Sequence, residues 1–556
     1  MTTTATYSGT PAAAPVDPPR TMWRDVLAGT GALVRLDLRR DRIKLPAWVL
    51  GIALMSVYYA SALQQVYKTP EDLRAVSQFS EGVVGALISG PGYGLADPTT
   101  ESVIVAVYGL YYLLLAALMN ILLISRHTRV EEQTGRAELV RANAVGRHAQ
   151  LTAALVLAIV ANLAVTLLVA GSFAAAGLDT SDALLFGASV GAAGLVFAAI
   201  TSVAVQITEY SRAASGLAGA ALGTAYVIRA AGDAVREGGS ALSWLSPLAW
   251  SQQTRAYADG RWWPLLLSLA AILVIVAVAY TLSSRRDLGA GLVPPRSGHR
   301  EAPAWLNTPV MLAARLQRAG LIGWTCALVA GAALYGGIGN TIVDSFDDLP
   351  GGVVDVMGGD ASRMLDGYLG TMAFFDALLV TVFAILAVQS LRTEETTGRT
   401  EPVLATATGR VAWFAGYIGV AALGALVLLA TTGLAFGVAL SLSVGDTGYV
   451  VDGLVSHLVF APAVLLVLAV AALLYGVLPR AIGTIWAVFG FALVVGFFGP
   501  IMDLPQWTHD LSPFQHIARI PMEELRWPAP IVLTVLAAAS AAVGAHRFRE
   551  RDLDTT

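Results

Sequence analysis

The sequence predicts an all-α polytopic membrane protein with twelve transmembrane helices, arranged as two tandem halves of six helices each. Of its 556 residues, 56% are hydrophobic and 13% are charged, whereas soluble proteins carry about 25% charged residues. Apolar runs long enough to span a bilayer, about 20 residues each, recur twelve times. A seventeen-residue charged motif occurs once in each half. This composition excludes a secreted, fibrous or disordered chain.

The apolar runs fall into two groups of six, which are separated by a basic connection at 285–320. The predicted spans are 46–66, 102–125, 150–177, 184–206, 214–232 and 263–284, then 321–339, 369–390, 412–443, 454–477, 482–499 and 529–545. Residues 1–21, rich in Thr, Ala and Pro, are expected to form a disordered tail. The predicted domains are therefore 22–284, a linker at 285–308, and 309–556, each half beginning with an interfacial helix.

The distribution of charge predicts the orientation of the chain. Cytoplasmic loops of membrane proteins carry an excess of Lys and Arg. With both termini placed inside, 26 of the 35 Lys and Arg residues fall in inside segments and 9 in outside segments. Loop 340–368 is the most acidic outside segment, with six Asp residues against Arg363. The sequence thus predicts a multi-pass membrane protein with both termini in the cytoplasm.

A motif between the second and third spans of each half reveals an internal repeat. Residues 131–147 and 394–410 are identical at 11 of 17 positions, at a constant offset of 263 residues. Gly135 and Gly398 should end the incoming helix. A short surface helix should follow each glycine, with acids leading and arginines trailing as the helix dipole favours. Two such helices could contact a symmetric soluble dimer, although a solvated charged turn is the structural alternative.

Several classes of site are excluded by the residues that the sequence lacks. One cysteine, Cys326, cannot form an intrachain disulfide or a cysteine-based metal site. Lysine occurs only at Lys44 and Lys68, and neither follows a glycine, so no phosphate-binding loop is present. We therefore expect no catalytic residues, no metal site and no cofactor in this chain. The balanced net charge of −4 gives no reason to expect a nucleic acid partner.

These features together resemble the permeases of type-2 ABC exporters. The resemblance rests on six spans per half, the E-x-x-T-G-R-x-E-x-x-x-A segment after the second span, and a Ser-Pro loop before the sixth. The fused double permease is similar to polyketide-antibiotic and multidrug exporters of GC-rich bacteria. The segments that carry this closer match are 229–233, 244–250, 261–264 and 285–291. The resemblance extends from about residue 22 to the end of the chain.

The resemblance implies an ATP-driven exporter of hydrophobic drugs or antibiotics, in which the repeated motifs are coupling helices. Each would contact one of two copies of a cytoplasmic ABC ATPase subunit, which would bind ATP and Mg²⁺. The outside loops at 233–262 and 503–527 would hold short re-entrant helices. The expected contact residues are Glu131, Glu132, Gly135, Arg136 and Glu138 in the first half and Glu394, Glu395, Gly398, Arg399 and Glu401 in the second.

Four residues in or beside the predicted spans are candidates for the transport pathway: Tyr112, Arg229, Phe375 and Asp376. Asp376 is the one acid inside a predicted span, where a charge costs roughly 2.5–3.5 kcal/mol on insertion scales. It could bind a cationic substrate or sense protons, or it could bond to a neighbouring span. Arg229 could be held structurally by Asp233. Aromatic residues in spans are also common as packing or interface anchors.

Three other functional classes stay open on the sequence. A proton-driven secondary drug carrier can also have twelve spans, but it would need several intramembrane acids for a proton relay. A polytopic membrane enzyme would need a cluster of catalytic residues, which the sequence does not show. Only the family resemblance distinguishes an ABC exporter from an ABC importer.

Overall fold

The computed structural model describes residues 23–66, 89–142, 145–236, 238–294, 301–337, 361–498 and 505–553, and ten further positions between 69 and 86 and between 339 and 343. The predicted tail at 1–21 and most of the acidic loop 340–368 lie outside these residues. The chain divides into two compact units, residues 1–298 and 299–556.

The first unit contains eleven α-helices in its described part. A π-helical turn, Arg126–Val130, joins α4 to α5, and a 3₁₀ turn, Ser243–Leu245, precedes α10. The helices are α1 (Trp23–Val26), α2 (Thr30–Arg40), α3 (Lys44–Val66), α4 (Thr100–Ser125), α5 (Glu131–Gln133), α6 (Arg136–Arg141), α7 (Ala149–Ala175), α8 (Thr180–Ile207), α9 (Ser211–Val235), α10 (Pro247–Gln252) and α11 (Pro264–Ser283).

The second unit contains nine α-helices in its described part. Two 3₁₀ segments, Pro479–Thr484 and Pro513–His516, precede α18 and follow α19. The helices are α12 (Pro309–Gly336), α13 (Ala361–Thr396), α14 (Thr400–Leu404), α15 (Arg410–Val444), α16 (Gly448–Leu458), α17 (Ala461–Val477), α18 (Ile485–Phe498), α19 (Gln506–Leu511) and α20 (Pro528–Glu550).

Every predicted span coincides with a helix or, for 454–477, a helix pair, but fewer than twelve helices can be assigned to the membrane by length and hydropathy. Among the described residues, ten helices are long and apolar enough, and the bent pair α2 and α3 makes eleven. Helix α9 is not one of these because its many small and polar residues, together with Arg229 and Asp233, lower its hydropathy. The structure thus supports about ten spans, and twelve stays a prediction.

Small residues let the helices of each unit approach closely. In the first unit, α8 is the most buried span and lies against α7, where a Cβ added at Gly187 would stand 2.5 Å from the Thr166 carbonyl oxygen. In the second unit, a Cβ at Gly433 of α15 would stand 2.6 Å from the Gly453 carbonyl oxygen of α16. Close backbone packing of this kind is typical of membrane helices.

The two units begin with different helical arrangements. In the first unit, α2 and α3 are separate helices that meet at an angle of 68°. In the second unit, α12 runs without a break over 28 residues, beginning well before the predicted span at 321. Its sequence has no counterpart of the turn at Asp41–Ile43, so its hydrogen-bond ladder continues.

Candidate functional site

The repeated motif forms a short helix after a left-handed glycine in both units. We call residues 131–147 motif segment 1 and residues 394–410 motif segment 2. Gly135 has φ +71° and precedes α6, and Gly398 has φ +72° and precedes α14. This conformation favours glycine because a Cβ would be strained there. The predicted helix breaks and the short helices that follow them are thus confirmed.

The second glutamate of motif segment 1 is buried and ion-paired. The side chain of Glu132 is 4% exposed, and its two carboxylate oxygens lie 2.6 and 2.9 Å from the two Nη atoms of Arg286. Arg129, which is fully buried, donates a further hydrogen bond of 2.7 Å to Glu132. Arg286 follows α11, so this carboxylate joins the end of α4 to the end of the last helix of its unit.

The equivalent glutamate of motif segment 2 makes the equivalent contact. The side chain of Glu395 is 1% exposed, and Arg551 binds its two oxygens at 2.6 and 2.7 Å. Tyr475 donates a hydrogen bond to the same carboxylate. Arg551 follows α20, the last helix of the second unit. Bidentate arginine–carboxylate pairs are strong and geometrically specific, so each motif segment is fixed to the last helix of its own unit.

The arginine partners belong to a second repeat that the motif alone did not reveal. Arg286-Asp287-Leu288 follows α11, and the same tripeptide, Arg551-Asp552-Leu553, follows α20. The family resemblance singled out the first copy, and residues 551–553 were missed. A search for any tripeptide that recurs just after the last span of each half would have found them.

The first glutamates are also held inside their units, whereas other motif residues face solvent. Glu131 pairs with Arg40 at 2.7 Å, and Glu394 pairs with Arg399 at 3.2 Å. The side chains of Arg136 and Arg399 are 55% and 62% exposed. Glu138 and Glu401 are exposed as well. The structure therefore divides the ten predicted contact residues into four buried glutamates, two turn glycines and four exposed charged residues.

A buried charge network attaches α2 to the π-helical turn that precedes motif segment 1. The His127 ring lies 3.1 Å from a carboxylate oxygen of Asp37 and 2.6 Å from one of Asp41. Arg126 pairs with Asp41 at 2.9 Å. Burial by itself would raise the pKa of Asp41, which lies between α2 and α3. The hydrogen bond to His127 and the nearby positive charges outweigh that effect, and the pKa is lowered.

Two of the pathway candidates lie buried in the first unit. Tyr112 is fully buried and packs edge-on against Phe186, with ring centroids 5.3 Å apart. Arg229 is fully buried and donates to the Ala86 carbonyl oxygen at 3.0 Å. Its guanidinium lies 3.4 Å from Asp233, as the structural alternative expected.

The other two candidates lie together on α13 of the second unit. Phe375 is 41% exposed. The carboxylate of Asp376 lies 3.1 Å from Nε2 of His457, a fully buried residue of α16. The Nδ1 atom of His457 lies 2.8 Å from the Gly453 carbonyl oxygen. The intramembrane acid therefore bonds to a neighbouring helix.

One family model matches the chain in two segments, residues 31–282 and 306–549, and it describes the C-terminal domain of the multidrug efflux system permease Rv1217c. The multidrug efflux system permease protein Rv1217c of Mycobacterium tuberculosis (strain ATCC 25618 / H37Rv) is 36% identical over 535 residues, covering 94% of this chain and 95% of that protein. The chain belongs to this family of efflux permeases.

The two segments matched by the family model agree with the internal repeat of this efflux permease. Each of the two matched segments contains one complete motif segment with its buried glutamates. In the part of the permease that the structure describes, no group of three or more His, Cys, Asp or Glu residues could hold a metal ion.

Proposed function

We propose that this efflux permease is the membrane subunit of an ATP-driven ABC exporter, and that motif segments 1 and 2 are its coupling helices. The observation that carries the proposal is that both segments expose the same pair of side chains. Arg136 and Glu138 face solvent in one unit, and Arg399 and Glu401 face solvent in the other. Equal surfaces of this kind suit two copies of one ATPase subunit, as a C₂ arrangement requires.

The buried glutamates give these surfaces a mechanical role. An ATPase that moves α6 also moves Glu132, and Glu132 is bonded to Arg286 beyond α11. The same reasoning links α14 to α20 through Glu395 and Arg551. A movement at either surface therefore reaches two spans of its unit, which suits a switch between inward-facing and outward-facing states.

The cargo and the energy source complete the proposal. A hydrophobic drug enters from the cytoplasm or the inner leaflet and leaves outside, in keeping with the name of the mycobacterial relative. Both termini and both motif segments lie in the cytoplasm, where the charge distribution puts them. The chain itself holds no cofactor. ATP and Mg²⁺ bind to the two ATPase subunits, which makes this chain a permease and the assembled complex the ATP-hydrolysing machine.

A proton-driven carrier is the second candidate, and one observation favours it. Asp376 and His457 form a hydrogen-bonded pair between α13 and α16, and intramembrane acid–histidine pairs occur in proton relays. The corresponding position in the first unit, Leu113, is apolar. A single acid–histidine pair forms only a short part of a proton relay across the membrane, so the ATP-driven mechanism is better supported.

The deciding experiment is purification of the tagged chain from its native host, followed by ATPase and ethidium efflux assays. We expect a co-purifying ATPase whose activity vanadate inhibits. Reversing the exposed acids (Glu138→Arg with Glu401→Arg) should reduce efflux at least tenfold at unchanged expression. Glu524→Arg changes an exposed acid of the opposite outer loop and should leave efflux intact. Efflux that a protonophore abolishes but vanadate spares would overturn the proposal.

A further inference from the structure

A cavity of about 600 Å³ opens in the first unit, where three helix ends meet. It is bounded by the start of α3, the end of α4 and the first residues of α9. Ligand sites commonly have volumes of about 300–1,000 Å³.

The rim of this cavity is positively charged. It carries Lys44, Arg126 and Arg212 against a single carboxylate, Asp41, which Arg126 and His127 already bind. In the part of the chain that the structure describes, neither Lys44 nor Arg212 lies within ion-pair distance of a carboxylate. Both side chains belong to exposed residues. Two cations are therefore available to an anionic ligand.

The other large side chains of the lining are apolar, so the site has two chemical halves. We call these apolar residues the floor of the cavity: Leu45, Trp48, Met119, Leu122 and Leu123. Leu122 is 44% exposed, on a helix long and apolar enough to span the membrane. Tryptophan is common at the level of lipid headgroups. A ligand that satisfies both halves must carry a negative charge and a hydrocarbon chain.

The amino end of α9 adds to the positive potential. Tyr210 precedes this 25-residue helix and makes no side-chain capping hydrogen bond. Ser211 and Arg212, the first two helical residues, both line the cavity. The unpaired N–H groups and the helix dipole favour an anion at that end. Charge and backbone therefore favour the same kind of ligand.

We propose that this cavity binds the headgroup of an anionic phospholipid, drawn from the leaflet that adjoins motif segment 1. Lys44 and Arg212 contact the phosphate, and the acyl chains lie along Trp48 and Leu122. A soluble phosphate would leave the apolar floor without a partner. The site belongs to the first unit: Gln389 stands where the repeat would place Arg126, and α12 lacks the bend that opens the cavity. One lipid is bound per chain.

The test uses the delipidated full chain in detergent, to which phosphatidylglycerol or phosphatidylcholine is added. Native mass spectrometry counts the retained lipids, and the thermal shift reports their effect. The double variant Lys44→Ala with Arg212→Ala removes both available cations. The matched control, Arg315→Ala with Arg480→Ala, removes two exposed cations from the second unit.

We expect the wild-type chain to retain one phosphatidylglycerol in preference to phosphatidylcholine. The double variant should bind it roughly 30-fold more weakly, because each basic residue at an anionic membrane surface gives about a fivefold gain. The control should bind as the wild type does. Equal retention of phosphatidylcholine, equal weakening in the control, or displacement of the lipid by inorganic phosphate would overturn the proposal. None of these results depends on an ATPase.

Discussion

The two units hold their motif segments to the last helix in the same way but hold their first helices differently. Glu132 and Glu395 each bind an arginine of an Arg-Asp-Leu tripeptide. In unit 1, α2 is held by the ionic network around His127, whereas in unit 2 α12 is held by a neutral hydrogen bond of 3.0 Å from the Gln317 side chain to the Tyr417 carbonyl oxygen. The contact that two diverged halves share is thus the one between motif segment and last helix.

The interiors of the units show the same divergence. Asn120 and Asn162 exchange two side-chain hydrogen bonds, of 2.8 and 3.1 Å, between α4 and α7. The repeat places Phe383 and Ala425 at these positions of the second unit, and both are buried in an apolar core. A polar pair and an apolar pair therefore occupy equivalent places, because either satisfies the packing and hydrogen-bonding requirements of a membrane interior.

The largest expected effect tests the shared contact. Arg551→Ala should lower the free energy of unfolding by about 3–5 kcal/mol, because it leaves a buried carboxylate without its bidentate partner. Arg286→Ala should cost less, about 1.5–3 kcal/mol, since Glu132 keeps the cation Arg129, whereas Glu395 keeps the neutral hydroxyl of Tyr475. The measurement is thermal unfolding of each purified variant in the same detergent.

Two neighbouring arginines provide controls for that ranking. Arg285 and Arg547 are exposed and lie within four residues of Arg286 and Arg551, respectively. Their replacement by alanine changes the net charge equally and should alter the stability by less than about 0.5 kcal/mol. An Arg286→Ala variant that is as unstable as Arg551→Ala would show that Arg129 does not compensate.

An intermediate effect is expected where the units differ. His127→Ala removes a hydrogen bond to Asp41 and an ion-pair contact with Asp37, and it should cost about 2–3 kcal/mol. Ser390→Ala, at the equivalent position, loses one neutral hydrogen bond worth about 1 kcal/mol. Loosening α2 should also speed tryptic cleavage at the exposed Arg42. Timed proteolysis of the two variants measures this. Unchanged cleavage of His127→Ala would contradict the anchoring role of the network.

The smallest expected effect is one in which the units should agree. Gly135→Ala and Gly398→Ala should each lower the free energy of unfolding by about 1–2 kcal/mol, because an L-residue is strained in the left-handed region. Crowding should add nothing to this penalty, since an added Cβ meets no atom within 4 Å at either position. Gly216→Ala, inside α9 and equally uncrowded, should be neutral or slightly stabilising. Thermal unfolding compares all three variants. A clear difference between the two motif glycines would show that the segments are not equivalent.

Much of the fold could be predicted because membrane spans are specified locally. A run of about 20 apolar residues satisfies its own backbone and its lipid surroundings, so each predicted span coincides with helical structure. The ends of the spans were predicted less accurately than their positions. For example, α13 covers Ala361–Thr396, whereas the predicted span was 369–390. A helix continues through polar residues beyond its apolar run when other helices or water provide hydrogen-bond partners for them. A hydropathy profile does not detect this continuation.

The candidate site was predictable in its position and not in its chemistry. The duplicated acids located both motif segments, and the glycines located their turns. Whether an acid faces a partner or its own unit depends on residues far away in the sequence. Glu132 meets Arg286, 154 positions later, and Glu395 meets Arg551, 156 positions later. Charge in the motif was visible from the sequence, but its exposure was not.

The sequence by itself determined the membrane class, the order of the helices and the twofold repeat, because hydropathy and self-similarity are properties of the chain alone. Tertiary structure decided which charges are buried, that α12 is continuous where α2 and α3 bend, and that Asp376 lies beside His457. Those outcomes depend on which side chains meet when helices pack, since a charge is retained inside a membrane protein only where a partner compensates for lost hydration.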